Sequence, residues 1–138
     1  DASSESHPLF TIVEETLKGK EMKMPAGMSF FDKDGTERSE IRTKWWENPE
    51  TSTYRQMSVL PLDQLPDSKV DLSLLPNTGY YKENQKPVFY GHYWLNGAPS
   101  LQKANVCCLD YSVAKEGLLV AYRFDNEQIL SEEKFVFV

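Results

Sequence analysis

The chain has 138 residues, 40% of them hydrophobic and 12% aromatic, with 15 Lys and Arg against 21 Asp and Glu for a net charge of −6. That length amounts to one domain, and that apolar share excludes a chain disordered throughout. The acidic balance, with no basic run, excludes a nucleic-acid surface, which needs clustered Lys and Arg to displace counterions from phosphates. No apolar stretch approaches the roughly 18 residues of a membrane span, so no membrane partner is expected. The start Asp1-Ala2-Ser3-Ser4-Glu5 has no leader pattern and no Met, and a processed product or a piece of a longer chain is expected.

Residues 1–7 are polar and read as a disordered tail. From Pro8 the apolar positions Leu9, Phe10, Ile12, Val13 and Leu17 fall at helical spacing, with Glu14 facing Lys18 and Gly19 placed to end the helix. Pro25-Ala26-Gly27 and Asp32-Lys33-Asp34-Gly35 are turn chemistry, and the alternation of Met28 and Phe30 between them predicts a hairpin. Thr36 to Trp46 is open between a helix, which suits Ile41 and Trp45, and an edge strand, which suits the polar alternation. Residues 47–86, punctuated by Pro49, Pro61, Pro66, Pro76 and Gly79, read as a loop-rich excursion with one or two short helices near Tyr54–Leu60. After Pro87 the runs Val88–Tyr90, Val106–Tyr111, Leu118–Phe124 and Phe135–Val138 predict an antiparallel-rich sheet, apolar enough on both faces to need partner layers. The expectation is a single α+β domain: a tail over 1–7, a helix, hairpin and loop-rich region over 8–86, and a β-rich region over 87–138.

Candidate chemistry is sparse. Cys107 and Cys108 are neighbours on a strand, pointing to opposite faces with no zinc spacing and no basic neighbour, and they read as buried thiols of a reducing cytoplasm. The Asp32–Gly35 turn fails as a calcium loop, because that register puts Phe30 first and Ile41 twelfth, and neither coordinates. Trp45-Trp46, Tyr80-Tyr81 and Tyr90 with Tyr93-Trp94 suit core or interface packing first and a platform for a flat carbohydrate or nucleobase ligand second, and since adjacent aromatics on a strand point opposite ways, at most one of each pair serves a given site. Arg38 and Arg42, four apart, would fork toward a phosphate if the segment were helical, with Glu37 or Glu40 as the competing partners. His92 follows an apolar strand that ends at Gly91, which places an imidazole at the strand's carboxyl end, where open sheets bind ligands; by itself this leaves a structural, satisfied histidine as the first reading and a metal ligand as the second. Asp110 needs hydrogen-bond partners to sit in an apolar run and is expected to fix the turn at Tyr111-Ser112. Glu132-Glu133-Lys134 reads as an exposed turn.

The block Pro87-Val-Phe-Tyr-Gly-His-Tyr-Trp94, followed by Asn105-Val-Cys-Cys-Leu-Asp-Tyr-Ser-Val-Ala114 and Gly117-Leu-Leu-Val-Ala-Tyr-Arg123, resembles the C-terminal part of bacterial calcineurin-like metallophosphoesterases of the serine/threonine phosphatase and diadenosine tetraphosphatase kind. Leu17 to Glu21, Pro25 to Phe30, Asp32, Lys33, Arg38, Arg42 and Trp45-Trp46 resemble the insert that precedes that block. The resemblance implies a β-sandwich flanked by helices, a pair of divalent metals of the Mn, Fe or Zn type, and hydrolysis of a phosphoester substrate by in-line displacement. It makes His92 a metal ligand and Arg38 and Arg42 candidates to meet the substrate phosphate. The family's second His, two residues on, is Trp94 here, and its upstream Asp-x-His, Gly-Asn-His and related blocks are missing; His7 matches none of them.

One imidazole cannot hold a metal pair. The chain is therefore expected to be the C-terminal part of such an enzyme, inert and metal-free by itself, with the missing N-terminal half or a second copy as its partner. The alternative is a non-catalytic binding or assembly module that uses exposed aromatics and an open β-edge.

Overall fold

The structure, a computed structural model, describes residues 4, 6–32, 34–75 and 77–138. Lys33 and Pro76, like much of the expected tail, lie outside them. Its contacts divide into one unit ending at Tyr80 and a second running from Tyr81 to Val138. Both helices and small sheets are present, which makes the chain α+β.

In the first unit, helix α1 (Phe10–Lys18) forms where the spacing predicts it. Its bonds are local: Lys18 Nζ meets Glu14 Oε2 at 2.5 Å, and the Gly19 N–H donates to the Glu15 carbonyl at 3.0 Å from a backbone at φ 85°. None of its residues is buried, so neighbouring turns rather than a core hold it. Strand β1 (Glu21–Lys23) follows, then β2 (Phe30–Phe31), β3 (Glu37–Arg38) and β4 (Glu40–Arg42). The ambiguous segment after Thr36 is thus extended. The reason lies in β4, which runs antiparallel to β1 with Met22 opposite Ile41, and both side chains are 1% exposed. A helix would have given Ile41 no such partner.

The β2–β3 hairpin is the one predicted, and Asp32 builds it. Its Oδ1 accepts the Asp34 and Thr36 N–H groups at 2.9 Å each, and its Oδ2 accepts Arg38 Nε at 2.9 Å. The Thr36 amide, then the Arg38 guanidinium, hold its carboxyl below the usual range. The excursion after Trp46 carries one short helix, α2 (Tyr54–Met57), started by a reciprocal cap: Gln56 N–H donates to Thr53 Oγ1, and Thr53 N–H donates to Gln56 Oε1. Tyr54 and Met57 join Met22, Met24, Ile41, Leu65 and Val70 in the core of this unit.

In the second unit, β5 (Val88–Tyr90) pairs with β6 (Val106–Cys108), while β7 (Asp110–Tyr111), β8 (Leu118–Tyr122) and β9 (Phe135–Phe137) form an antiparallel sheet in that order. Two features differ from expectation. The β5–β6 pair is parallel, because residues 91–105 are a connection long enough for the crossover that parallel pairing requires. Burial on both faces holds only for β6, whose three residues are each 0% exposed, whereas Leu119 on β8 and Phe137 on β9 are 59% and 49% exposed. The outer edge of β6 is closed by the chain itself: Gln102 Oε1 accepts the Cys108 N–H at 2.7 Å, and the Gln102 N–H donates to the Val106 carbonyl. Buried Asn105 clamps the preceding loop by donating through Nδ2 to the Lys82 and Gln85 carbonyls. Lys134, expected in an exposed turn, instead reaches Asp125 and Glu127 at 2.9 Å each.

Gly117 is required by space. A Cβ there would stand 1.9 Å from the Tyr111 carbonyl oxygen and 2.8 Å from Ser112 backbone atoms. Gly117→Ala is expected to cost the second unit about 3 kcal/mol or more in urea unfolding, since no flexible side chain can yield. Gly97→Ala, where φ is +84° but no atom lies within 4 Å, should cost only about 1 kcal/mol.

Glu127 sets an acid limit. The Lys134 ammonium first, helped by amide donors and the Tyr122 hydroxyl, holds its carboxyl at about 2. A carboxyl depressed by folding stabilises fully above its ordinary value of 4.5 and loses that contribution as the pH falls toward about 2. Thermal midpoints measured across this window should therefore fall more steeply in the native chain than in Glu127→Gln.

Candidate functional site

Parallel pairing puts the carboxyl ends of β5 and β6 side by side, and the chemistry-bearing residues of the second unit collect there. The Leu109 N–H donates to the Tyr90 carbonyl at 2.9 Å and closes the pair. Beyond it the chain turns sharply. His92 and Trp94 both adopt left-handed backbone, at φ 69° and 47°, as do Ser112 and Glu116 at 58° and 61°. Side chains rarely take these conformations unless surrounding bonds impose them.

The Asp110 carboxylate holds two of them, Trp94 and Ser112. Its Oδ2 accepts the Trp94 N–H and its Oδ1 accepts the Ser112 N–H, both at 3.2 Å, while its backbone carbonyl accepts the Leu95 N–H at 3.0 Å. Ser112 Oγ returns a bond to the Leu95 carbonyl at 3.2 Å. The expected turn at Tyr111-Ser112 is therefore made, and the same carboxylate also holds the loop after β5. Gly91 is less constrained, since a Cβ there would meet Asp110 Cβ at an ordinary 3.7 Å.

His92 is half-buried, and its ring centre lies 5.7 Å from that of Trp94, tilted by 54°. Tyr93 turns inward to 7% exposure and packs edge-on against Tyr90 at 5.0 Å, while Trp94 turns outward with 47% of its surface exposed. Lys115 Nζ stands 4.5 Å from the centre of the Trp94 ring, within cation–π range. The pairing of Lys115 with Trp94 has no local signature, because 21 positions separate them; only the two left-handed turns bring them together.

The other candidates lie elsewhere. Arg38 and Arg42 sit on β3 and β4, strands of different sheets, so the helical fork does not form. Each meets a carboxylate that its sequence neighbours did not suggest: Arg38 Nε meets Asp32, and Arg42 Nη2 meets Glu21 at 3.0 Å across the β1–β4 pair. Trp45 and Trp46 pack edge to face at 5.0 Å, with Trp46 buried. A cleft between Lys20, Trp45 and Asn77 in the first unit encloses about 20 Å³, room for a water but not for a substrate.

The residues at the His92 site do not by themselves fit a metal pair. Among the described residues no group of three or more His, Cys, Asp or Glu converges on one point. Each Asp110 oxygen accepts one backbone donor. Cys107 and Cys108 are buried free thiols, and burial pushes them up to about 12 and about 11. His7, in the first unit, accepts the Leu9 N–H on Nδ1. Among the described residues, no helix is long and apolar enough to cross a membrane. Compared with known families, curated proteins and solved structures, the chain matches no family model, no curated protein and no solved structure.

If Asp110 holds both loops, Asp110→Ala should release them together. Amide hydrogen exchange at Trp94 and Ser112 is expected to lose about 1–3 kcal/mol of protection, the cost of leaving a donor unpaired, while the β8 and β9 amides keep theirs.

Proposed function

We propose that the chain is the C-terminal part of a calcineurin-like metal-dependent phosphoesterase, of the β-sandwich type flanked by helices, and that His92 is one ligand of its metal pair. The observation that carries this is the imidazole at the carboxyl end of a parallel strand pair, on left-handed backbone in a loop whose Trp94 N–H donates to Asp110. Ordered behind it are the Leu-Asp strand and the Gly-initiated strand that make the resemblance more than a lone Gly-His. A divalent pair of Mn, Fe or Zn type, when bound in an intact relative, supplies the hydroxide that attacks the phosphoester. One His cannot hold it, so hydrolysis is not assigned to this chain by itself. What its own residues do is position: Asp110 orients the His92 loop, and Tyr93 anchors it to the core. The Asp32 and Glu21 partners leave Arg38 and Arg42 available to a substrate phosphate only by exchange of those ion pairs. Two buried free thiols suit a reducing cytoplasm.

A second reading, a non-catalytic assembly module, is favoured by one observation. Leu119, 59% exposed, lies opposite Val138, 84% exposed, and beside them Ala121 faces Val136, which leaves an apolar sheet face in solvent.

Two preparations separate these readings. The isolated chain with excess Mn²⁺ is expected to hydrolyse no p-nitrophenyl phosphate above background. The product of the whole reading frame that contains it is expected to hold about two metals per chain, and His92→Ala should lower its rate about 100-fold or more. Hydrolysis by the isolated chain that His92→Ala abolishes overturns the claim of an incomplete site. A whole-frame product that binds no metal overturns the phosphoesterase reading and leaves the assembly module.

A further inference from the structure

The loop that leaves the His92 turn carries the one Asn-Gly pair of the chain, Asn96-Gly97, and it is held at both ends. On the near side the Leu95 N–H donates to the Asp110 carbonyl at 3.0 Å, and Ser112 Oγ donates to the Leu95 carbonyl at 3.2 Å. On the far side the Ser100 N–H donates to the Tyr111 hydroxyl at 2.9 Å, and that hydroxyl donates to the Ser100 carbonyl at 3.2 Å. Between these anchors Asn96 and Gly97 are exposed, Gly97 turns through φ +84°, and nothing stands within 4 Å of where a Cβ on it would be. Among the described residues, neither the Asn96 side chain nor the Gly97 N–H has a hydrogen-bond partner.

A backbone nitrogen attacks the side-chain amide before it most readily when it belongs to glycine, because no Cβ hinders the approach. The other asparagines fall short of this. Asn48 precedes Pro49, whose nitrogen has no hydrogen to lose. Asn77 Oδ1 accepts the Lys20 ammonium at 2.8 Å and the Gly79 N–H at 3.2 Å, and Asn105, 1% exposed, is bonded through Nδ2 to two carbonyls. Asn84 and Asn126 are exposed, but Gln85 and Glu127 follow them. Asp34-Gly35, in the first unit, differs as well, since the Gly35 N–H is tied to the Asp32 carbonyl at 2.9 Å.

We propose that Asn96 is a site of spontaneous deamidation, with the Gly97 nitrogen as nucleophile and water as the only co-reactant. The Gly97 N–H gives its proton to hydroxide, the nitrogen bonds to Asn96 Cγ, and the Cγ–Nδ2 bond breaks. Ammonia leaves with a proton taken from water, and a five-membered succinimide remains. Water then opens the ring. Opening at Cγ gives aspartate; opening at the main-chain carbonyl gives isoaspartate, whose main chain runs through Cβ and is one atom longer. In sum an amide and a water become a carboxylate and an ammonium ion, with no change of oxidation state. Such attack depends on the two atoms being free to meet, and the exposed, unbonded pair allows it. Either product adds a negative charge to the loop that carries His92, and isoaspartate adds an atom between two anchors fixed to β7 and Ser112. The reaction asks nothing of the phosphoesterase reading.

The test keeps the purified chain in warm, mildly alkaline buffer, folded or in urea, and follows each asparagine by peptide mass, which rises when an amide becomes a carboxyl. In the folded chain the Asn96 peptide is expected to gain this mass about tenfold faster than the Asn84 or Asn126 peptide, and within about threefold of its rate in urea. Chromatography of that peptide should resolve aspartyl and isoaspartyl forms, with ammonia released to match. Gly97→Ala should slow the reaction about tenfold. Asn96→Gln, whose longer side chain would have to close a larger ring, should stop it, and it alters only an exposed, unbonded side chain. Another asparagine reacting first, an Asn96 that reacts only in urea, a product with no isoaspartyl form, or a rate that Gly97→Ala leaves unchanged overturns the proposal.

Discussion

The second unit depends on one carboxylate placed between two loops. Parallel pairing brings the ends of β5 and β6 together, and Asp110, two residues past β6, accepts an amide from each side, Trp94 on one and Ser112 on the other. The constraint propagates. With Ser112 held in left-handed backbone, its carbonyl collects the Lys115 and Gly117 N–H groups, the chain reverses into β8, and β8 pairs with β7 on one side and β9 on the other. The reversal is so tight that only the absence of a Cβ at Gly117 permits it. A polar group in an apolar run is thus the organiser of the turn chemistry around it, with both of its oxygens accepting backbone donors.

In the first unit the charged residues are absorbed by the fold in a similar way. Asp32 serves the hairpin turn with one oxygen and Arg38 with the other, and Glu21 meets Arg42 across the β1–β4 pair. Exposed pairs of this kind contribute about 0–1 kcal/mol each, so they select geometry more than they stabilise it. The stabilising term is the apolar cluster around Met22 and Ile41, with the cap at Thr53 delivering Tyr54 and Met57 to it. The two guanidinium groups therefore lie on strands because Ile41, between them, is drawn to the core.

What was legible in the sequence was local. The α1 spacing with Gly19 behind it, the Asp32 turn, and the short runs after Pro87 each state their structure within a few residues, and each is found. What was not legible depended on partners far along the chain. The extended state of residues 37–42 needs Met22 on another strand; the parallel register of β5 and β6 needs a connection with no helix to announce it; the partners of Arg38 and Arg42 sit across a turn and across a strand pair. His92 was visible from its place after Gly91. Its neighbour Lys115 was not, because nothing in a spacing of 23 residues predicts that two left-handed turns converge.

The tetrapeptide Gly91–Trp94 divides its labour by direction. Tyr93 goes inward and packs on Tyr90, which anchors the loop, while the His92 and Trp94 rings come within 5.7 Å of each other. A metal-binding histidine ordinarily needs a neighbouring polar group to fix its ring. Beside His92 stands an aromatic neighbour, the Trp94 ring, with the ring centres 5.7 Å apart. A histidine at position 94 would add a coordinating nitrogen; tryptophan adds a face. Under the phosphoesterase reading that exchange costs the site one possible ligand, which ties the identity of a single residue to metal affinity.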